Sequence, residues 1–209
     1  MTAETYTIRH MIPDDLAGAT SALTECFIED PFFAWLCPDE QLRPYVVRSW
    51  MGLSTSRSLE RGHSYVALAE EGIVGASLFS PPGVDIASPL ELRGQSLAAS
   101  AIVGMDMKRY ATLQPVSAMQ PKSPHFYLRD IGVIVAARGN GIGKKLVEAT
   151  HAICDRENWT AYLETTRADS KRFFETLGYH TVKKVTVSNT LVFTAMLRHP
   201  GPPGPDRRK

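Results

Sequence analysis

A loop with three glycines is the part of the sequence best suited to bind a phosphate. It reads ARGNGIGKK over residues 137–145, between an apolar run and a helical pattern. Glycines in such a loop expose successive backbone N–H groups, and the N-terminus of the following helix adds partial positive charge at the same place. The loop is therefore predicted to bind a pyrophosphate group.

The glycine spacing argues against the two commonest phosphate-binding motifs. A P-loop has glycine where this chain has Arg138, and a hydroxyl residue where it has Lys145. A dinucleotide fingerprint has a third glycine where this chain has Lys144, and it opens a βαβ unit rather than lying late in the chain. The pattern that remains is Arg138-x-x-Gly141-x-Gly143.

Two acidic residues, Asp130 and Glu164, lie in segments that otherwise read as apolar strands. Burying an unpaired carboxylate is costly, so each must face solvent, a partner or a cleft. Two interpretations stay open for both residues. Each carboxylate either forms an ion pair with a cation such as Arg129 or Arg167, or serves as a proton acceptor in a reaction.

Strands and helices must position these residues, and the hydrophobic periodicity predicts where they lie. Residues 6–10 alternate like a strand, and residues 16–27 carry apolar side chains at helical spacing. The next predicted elements are a helix over 42–59, a hairpin over 64–83 that turns at 70–72, and a diffuse helix over 88–113 followed by a proline-containing irregular connection.

The C-terminal half carries the clearest pattern. Residues 125–135 form an aromatic and β-branched strand, and the glycine loop joins it to an amphipathic helix with Ile142, Leu146, Ala149 and Ile153 on one face. The remaining predicted elements are a strand over 160–166, a short helix over 170–177, and a hairpin that joins 182–187 to 191–197.

Composition predicts one soluble domain over residues 1–199 and a disordered, proline-rich tail over 200–209. The formal net charge is +1, which favours neither a nucleic-acid partner nor a membrane partner. The three cysteines are far apart and are expected to be reduced, which favours the cytoplasm. The six histidines have no ligand spacing, so no metal is expected.

Four motifs, in order, resemble those of the GNAT N-acetyltransferase superfamily. They are Asp130-Ile131-Gly132-Val133, Arg138-Gly139-Asn140-Gly141-Ile142-Gly143, Leu163-Glu164-Thr165, and Phe173-Phe174-Glu175-Thr176-Leu177-Gly178-Tyr179. Their order and spacing match, which a chance glycine cluster would not supply. The layout of the whole chain is similar to that of the puromycin N-acetyltransferase-like members of the superfamily.

The resemblance implies an α/β fold with a mixed, strongly twisted central sheet flanked by helices. It further implies a V-shaped split between the two central parallel strands, with acetyl-CoA bound there as the acyl donor. The pantetheine arm would pair with the backbone of Ile131, Gly132 and Val133. The rest of the implied cofactor site consists of Arg138, Gly139, Asn140, Gly141, Ile142, Gly143, Lys144, Ser170, Phe173 and Phe174.

One residue departs from the family pattern. The second aromatic residue of the last motif is commonly a tyrosine, whose hydroxyl is the usual candidate acid for the departing thiolate, but here it is Phe174. A phenyl ring has no proton to donate. Another group therefore acts as the acid, with Tyr162 and Tyr127 as candidates, or the thiolate leaves without help.

The resemblance implies transfer of an acetyl group to a primary amine, which must lose a proton before it attacks. Glu164 and Asp130 are the candidate bases. If the apolar cluster of Phe32, Phe33, Trp35 and Leu36 lines the acceptor pocket rather than the core, it suits a small, partly aromatic amine. Glu29 or Asp30 would then attract the ammonium group. The alternative function is an acyl-CoA-binding module with weak or lost transferase activity, which Phe174 permits.

Overall fold

The computed structural model describes residues 6–84 and 106–202. The strands in these ranges are β1 (Thr7–His10), β2 (His63–Ala69), β3 (Gly72–Ser80), β4 (Phe126–Val133), β5 (Ala161–Thr165), β6 (His180–Ser188) and β7 (Leu191–Arg198). The α-helices are α1 (Leu16–Phe27), α2 (Pro31–Leu36), α3 (Arg43–Arg61), α4 (Met107–Ala111), α5 (Gln114–Ser117), α6 (Ile142–Glu157) and α7 (Ala168–Thr176). None of the helices in these ranges is long and apolar enough to span a bilayer.

The seven strands form one sheet in the order β1-β2-β3-β4-β5-β7-β6. The central strands β4 and β5 are parallel, and the other neighbouring pairs are antiparallel. A parallel pair needs a crossover connection, which α6 provides between β4 and β5. The predicted mixed sheet with a central parallel pair and flanking helices is confirmed.

The parallel pair is joined over a short length. Its paired residues are Phe126 with Ala161, Tyr127 with Tyr162, and Leu128 with Leu163. β4 nevertheless continues to Val133, where its partner on the other side is Gly75 of β3. The two central strands therefore separate beyond Leu128 and Leu163.

A bulge lies in β4 where the two strands separate. Leu78 of β3 pairs with Asp130, and the next residue, Phe79, pairs with Leu128, so Arg129 is an extra residue on β4. A bulge of this kind bends a strand and changes the direction of its side chains. The residues beyond the bulge leave β5 and continue along β3.

Helices cover both faces of the sheet. Tyr65 and Ala67 of β2 pack in the same cluster as Leu146 of α6, whereas Val66 between them packs in the cluster formed by α1 and α3. Alternate residues of a strand point to opposite faces, so α6 lies on one face and α1 with α3 on the other. α1 packs especially close to β4, because a Cβ atom on Gly132 would lie 2.7 Å from Cys26.

Helix α2 is absent from the sequence-based expectations, although its start is well defined. The carboxylate of Asp30 accepts a hydrogen bond from the backbone N–H of Phe32 at 2.9 Å, and Pro31 occupies the first helical position. The hydrophobic pattern of α2 is too short to show a helical period, because the helix has only six residues.

Two other expectations fall partly outside the described residues. The diffuse helix expected over 88–113 can be compared only from residue 106 onwards, where the structure has the short helix α4. The irregular connection expected after it contains the short helix α5. The expected tail begins at residue 200, but the backbone N–H of Gly201 donates to Asp155 Oδ1 at 2.7 Å. Residues 203–209 lie outside the described part of the chain.

Candidate functional site

A cleft of about 1570 Å³ opens where β4 and β5 separate. It runs from the glycine-rich loop at one end to helices α2, α4 and α5 at the other. Ten of the residues predicted from the sequence line it: Asp130, Ile131, Gly132, Val133, Arg138, Gly143, Glu164, Ser170, Phe173 and Phe174. The other predicted residues, Gly139, Asn140, Gly141, Ile142, Lys144 and Tyr162, lie in the adjoining loop, in the first turn of α6, or behind the cleft wall.

Two glycines of the loop have a left-handed backbone conformation. Gly139 and Gly141 have φ angles of +84° and +76°, which L-residues with a Cβ rarely adopt. Gly141 caps α6, and no side chain caps this end of the helix. The first N–H groups of a helix have no partner within it, so those at the start of α6 are available to an anion, and the helix dipole favours negative charge there.

The side chains of the loop have different surroundings. Arg138 is exposed and donates from Nε to the carbonyl oxygen of Val133 at 2.9 Å. Lys144 is also exposed and forms an ion pair with Glu148 at 3.7 Å. Ile142 is buried in the core, so only its backbone is available to a ligand.

The β4 wall beyond the bulge is formed by Ile131, Gly132 and Val133, where β4 no longer pairs with β5. The side chain of Cys26 packs against Gly132 and also lines the cleft. Burial raises the pKa of this thiol to about 11, so it stays protonated at neutral pH. The opposite wall is formed by α7, where Phe173 lies 3.6 Å from the position of a Cβ on Gly143.

Phe174 lies mostly in the core. It is 4% exposed and packs edge-on against Phe173 and Tyr179, with ring centroids 5.1 and 5.5 Å apart. Only a small part of the ring reaches the cleft. The residue at the usual position of the acid is thus apolar and largely enclosed.

Glu164 is held between two tyrosines. Tyr127 donates its hydroxyl proton to Glu164 Oε2 in a short hydrogen bond, and Tyr162 donates to Oε1 at 2.9 Å. Burial raises the pKa of Glu164, while these two hydrogen bonds and the charge of Arg129 act in the opposite direction. Tyr162 is fully buried, so its hydroxyl contacts Glu164 rather than the cleft.

Asp130 has a different partner. Its Oδ2 accepts a short hydrogen bond from the hydroxyl of Ser54 on α3. Burial raises the pKa of Asp130, and Arg129 and the Ser54 hydroxyl lower it. Neither Asp130 nor Glu164 forms an ion pair within the described residues, so the ion pairs considered from the sequence are not formed there.

The far end of the cleft is aromatic with one buried acid. Phe32 packs edge-on against Trp50 at 5.6 Å and against Phe193 at 5.8 Å, and all three rings line the cleft. Asp30 also lines it, is buried, and accepts a hydrogen bond from Thr166 at 3.2 Å. The side chain of Glu29 is 82% exposed and pairs with Arg43, so of the two acids only Asp30 faces the cleft.

The residues near the site that were missed in the sequence include Tyr6 and Ser54. The hydroxyl of Tyr6 donates to the carbonyl oxygen of Asn140 at 2.9 Å, across 134 positions of sequence. Ser54 reaches Asp130 across 76 positions. Arg129, which the sequence suggested only as an ion-pair partner, lines the cleft, and its Nε is buried with no hydrogen-bond partner among the described residues. Contacts over such separations leave no trace in local sequence pattern.

The remaining features to compare are possible metal ligands, the cysteines and one glycine-containing stretch. Among the described residues, no group of three or more His, Cys, Asp or Glu side chains is arranged to hold a metal ion. The three cysteines are free, and Cys37 and Cys154 are buried while Cys26 is half-buried. The stretch Gly94-Gln95-Ser96-Leu97-Ala98, which has some similarity to a nucleophile elbow, lies outside the described residues.

Known proteins share both the sequence pattern and the fold. A family model described as the Acetyltransferase (GNAT) family matches residues 21–179. The structure described as histone acetyltransferase HPA2 and related acetyltransferase, from Corynebacterium glutamicum, is 23% identical with a TM-score of 0.72. It aligns over 97% of this chain and 99% of that one.

Two further similar structures come from insects. Arylalkylamine N-acetyltransferase 2 from Aedes aegypti is 16% identical with a TM-score of 0.64, over 93% of this chain and 99% of that one. The polyamine N-acetyltransferase of Drosophila melanogaster is 16% identical with a TM-score of 0.61, over 93% of this chain and 100% of that one. At these identities the structural likeness establishes a common fold.

Proposed function

The chain belongs to the GNAT acetyltransferase family and is an acyltransferase, and from this premise we propose that it transfers an acetyl group from acetyl-CoA to a primary amine of a small, partly aromatic molecule. The observation that carries this proposal is a single cleft with a glycine-rich loop suited to an anion at one end and the half-buried carboxylate of Glu164 in its wall. The three free cysteines support a cytoplasmic location.

The donor end of the cleft fits acetyl-CoA. The positive φ angles of Gly139 and Gly141 and the uncapped start of α6 form a cradle of backbone N–H groups suited to a pyrophosphate. Arg138 and Lys144 add positive charge beside it. The backbone of Ile131, Gly132 and Val133 pairs with β3 on one side but not with β5 on the other, and this second side suits the amide groups of the pantetheine arm. When bound, acetyl-CoA supplies an acetyl thioester that an amine can attack.

Glu164 is the proposed base. An aliphatic ammonium group has an intrinsic pKa near ~10, so most of the acceptor is charged at neutral pH. A buried carboxylate attracts this cation and can take its proton, directly or through a water molecule. Burial raises the pKa of Glu164, which makes it a better proton acceptor than an exposed carboxylate.

We assign no side chain as the acid for the leaving thiolate. Phe174 has no proton to donate, and the hydroxyls of Tyr127 and Tyr162 both donate to Glu164. A free thiol has a pKa of about 8.5, so a thiolate leaves without protonation at modest cost. The missing tyrosine therefore does not prevent transfer.

The aromatic end of the cleft supports an acceptor with an aromatic or apolar part. Phe32, Trp50 and Phe193 offer ring faces and edges, and Asp30 offers a negative charge for an ammonium group. Two proteins of similar fold are described as acting on arylalkylamines and on polyamines, which agrees with a small amine.

Release of free CoA thiol tests the proposal. Acetyl-CoA would be incubated with the purified protein and with arylalkylamines, polyamines, a peptide with a free N-terminus, or no amine. We expect release well above the amine-free rate with at least one arylalkylamine. If acetyl-CoA binds but no amine raises the release, the protein is an acyl-CoA-binding module that has lost its transferase activity.

A further inference from the structure

The two tyrosines that contact Glu164 are fixed by the sheet. Tyr127 of β4 and Tyr162 of β5 are direct partners in the parallel pair, and their ring centroids lie 5.6 Å apart. Glu164 follows Tyr162 by two positions, so both side chains lie on the same face of β5. The strands separate one residue beyond this pair, which leaves Glu164 at the edge of the cleft. Each of its two carboxylate oxygens accepts a hydrogen bond from one phenol hydroxyl.

We infer that Tyr127 and Tyr162 are positioning residues that keep Glu164 ionised and correctly oriented as the proton acceptor. This inference rests on the proposed function, in which Glu164 is the base. The sequence made Tyr162 and Tyr127 candidates for the acid. Both hydroxyl protons instead point to Glu164, so neither tyrosine has a free proton for the leaving group.

The surroundings of Glu164 show why such support is needed. Burial favours the protonated, neutral carboxyl, whereas hydrogen bonds to the carboxylate favour the ionised form. The charged and titratable groups that act on it are Tyr127 and Arg129 from β4 and Tyr162 on its own strand. β7 places the uncharged Ala195 opposite it, and His125 lies beyond the ring of Tyr162 at 5.3 Å. The two phenol hydroxyls therefore donate hydrogen bonds to the Glu164 carboxylate, whereas Arg129 acts on it only through its charge.

Removing one phenol hydroxyl should raise the pKa of Glu164. The ionised form loses a charge-assisted hydrogen bond, while the burial that opposes ionisation stays. In Tyr127→Phe, the midpoint of the rise in kcat/KM should lie at a pH about one unit higher than in the parent. The rate should recover most of its parent value at high pH, and the KM for acetyl-CoA should not change. Tyr162→Phe should shift the profile in the same direction.

Tyr65→Phe is the matched control. Tyr65 is a buried strand tyrosine that packs on α6 and does not contact Glu164. Its variant should keep the pH profile of the parent. A purely structural role of Tyr127 predicts a different result, in which its variant loses thermal stability and loses activity equally at every pH.

A second measurement does not depend on turnover. Carbon-13 labelling of glutamate carboxyl groups gives an NMR titration, in which the Glu164 signal is identified by its loss in Glu164→Gln. We expect a higher titration midpoint for this signal in Tyr127→Phe than in the parent. An unchanged midpoint in a folded variant would overturn the inference. A shifted midpoint in a protein that acetylates no amine would leave it standing and reject the proposed function instead.

Discussion

Glu164 and Asp130 are both enclosed acids of one cleft, but their hydrogen-bond partners separate their roles. Glu164 is bonded by two phenols at the point where β4 and β5 separate, and Asp130 is bonded by Ser54 of α3. The first arrangement leaves the carboxylate at the edge of the cleft, and the second ties a helix to the sheet. We therefore propose a catalytic role for Glu164 and a structural role for Asp130.

Glu164→Gln tests the first assignment. The amide keeps the shape of the side chain and can still accept a hydrogen bond, but it cannot take a proton. We expect kcat/KM to fall by about 100-fold, within the ~10²–10⁴ that general base catalysis contributes. The affinity for acetyl-CoA should barely change. Because the pKa of Glu164 is raised by burial, kcat/KM of the parent should rise with pH as this group ionises, and that rise should disappear in the variant.

Asp130→Asn is the comparison for that experiment. The amide oxygen of asparagine can still accept the Ser54 hydroxyl, so the variant should fold and turn over with a somewhat lower melting temperature. A folded but inactive Asp130→Asn, together with a fully active Glu164→Gln, would mean that Asp130 is the base.

Phe174→Tyr tests whether a missing acid limits the reaction. If the thiolate leaves unassisted, the new hydroxyl should either leave kcat unchanged or raise it by about tenfold at most. Phe174 is mostly enclosed by Phe173 and Tyr179, so a hydroxyl buried there without a partner would cost about 1–3 kcal/mol and lower the melting temperature. Steady-state rates and thermal unfolding of the same sample separate the two effects. A large loss of kcat in folded protein would show that the bare ring shapes the pocket.

Local pattern was enough to find the acids, but not their partners. A carboxylate within an apolar strand is visible in the sequence, and so Asp130 and Glu164 could be selected. The pairing of Tyr127 with Tyr162 depends on which strands are neighbours and in what register, and neither is encoded locally. Ser54 lies on a helix whose sequence shows only that one side is apolar.

The loop and the helix that follows it form the proposed binding site for the pyrophosphate of the donor. Gly141→Asp places a negative charge where a pyrophosphate is expected, so acetyl-CoA affinity should fall by well over tenfold. Gly141 also has a positive φ angle, so any side chain there adds strain. Gly141→Ala adds that strain without the charge. Calorimetry measures the acetyl-CoA affinity of both variants, and the difference between the two affinities is the effect of the charge. Unchanged affinity in a folded Gly141→Asp would exclude this loop as the phosphate site.

Tyr6, which directly precedes strand β1, contacts the same loop. Its hydroxyl donates to the carbonyl of Asn140, and the ammonium group of Lys145 lies 4.9 Å from its ring centroid. Tyr6→Phe keeps the ring and removes the hydrogen bond, so the loop should be less well ordered and acetyl-CoA should bind about three- to tenfold more weakly. Tyr45→Phe, at an exposed position on α3, is the control for calorimetry. Equal affinity in the Tyr6 and Tyr45 variants would remove Tyr6 from the donor site.

Elements with a strong period were predicted to within a few residues. α6 has its apolar residues on one face and begins directly after a glycine, and β4 is rich in aromatic and β-branched residues. α2 was missed because its burial comes from tertiary contacts of Phe33 and Leu36 rather than from a repeating pattern. The bulge at Arg129 was also missed, because an extra residue is defined only relative to the partner strand.

At the scale of the whole molecule, the sheet consists of two parts joined at the seam between β4 and β5. Strands β1 to β4 form one part, and β5, β7 and β6 form the other. Few backbone pairs cross the seam, whereas Phe79, Phe126, Leu163 and Met196 pack together across it. Side-chain packing therefore contributes a larger share of the contact between β4 and β5 than of the contact between β2 and β3, whose backbones pair along their length.

This difference has a consequence for temperature. Apolar packing weakens as water is cooled, because its driving force near room temperature is mainly entropic. The seam should thus loosen on cooling more than the neighbouring antiparallel ladders do. Native-state hydrogen exchange at 4 °C and 25 °C would measure this as the opening free energy of amides in residues 126–128 and 161–163, relative to those in β2 and β3. We expect the gap between the two sets to widen in the cold, and an equal change in both would mean that the seam is held as the rest of the sheet is.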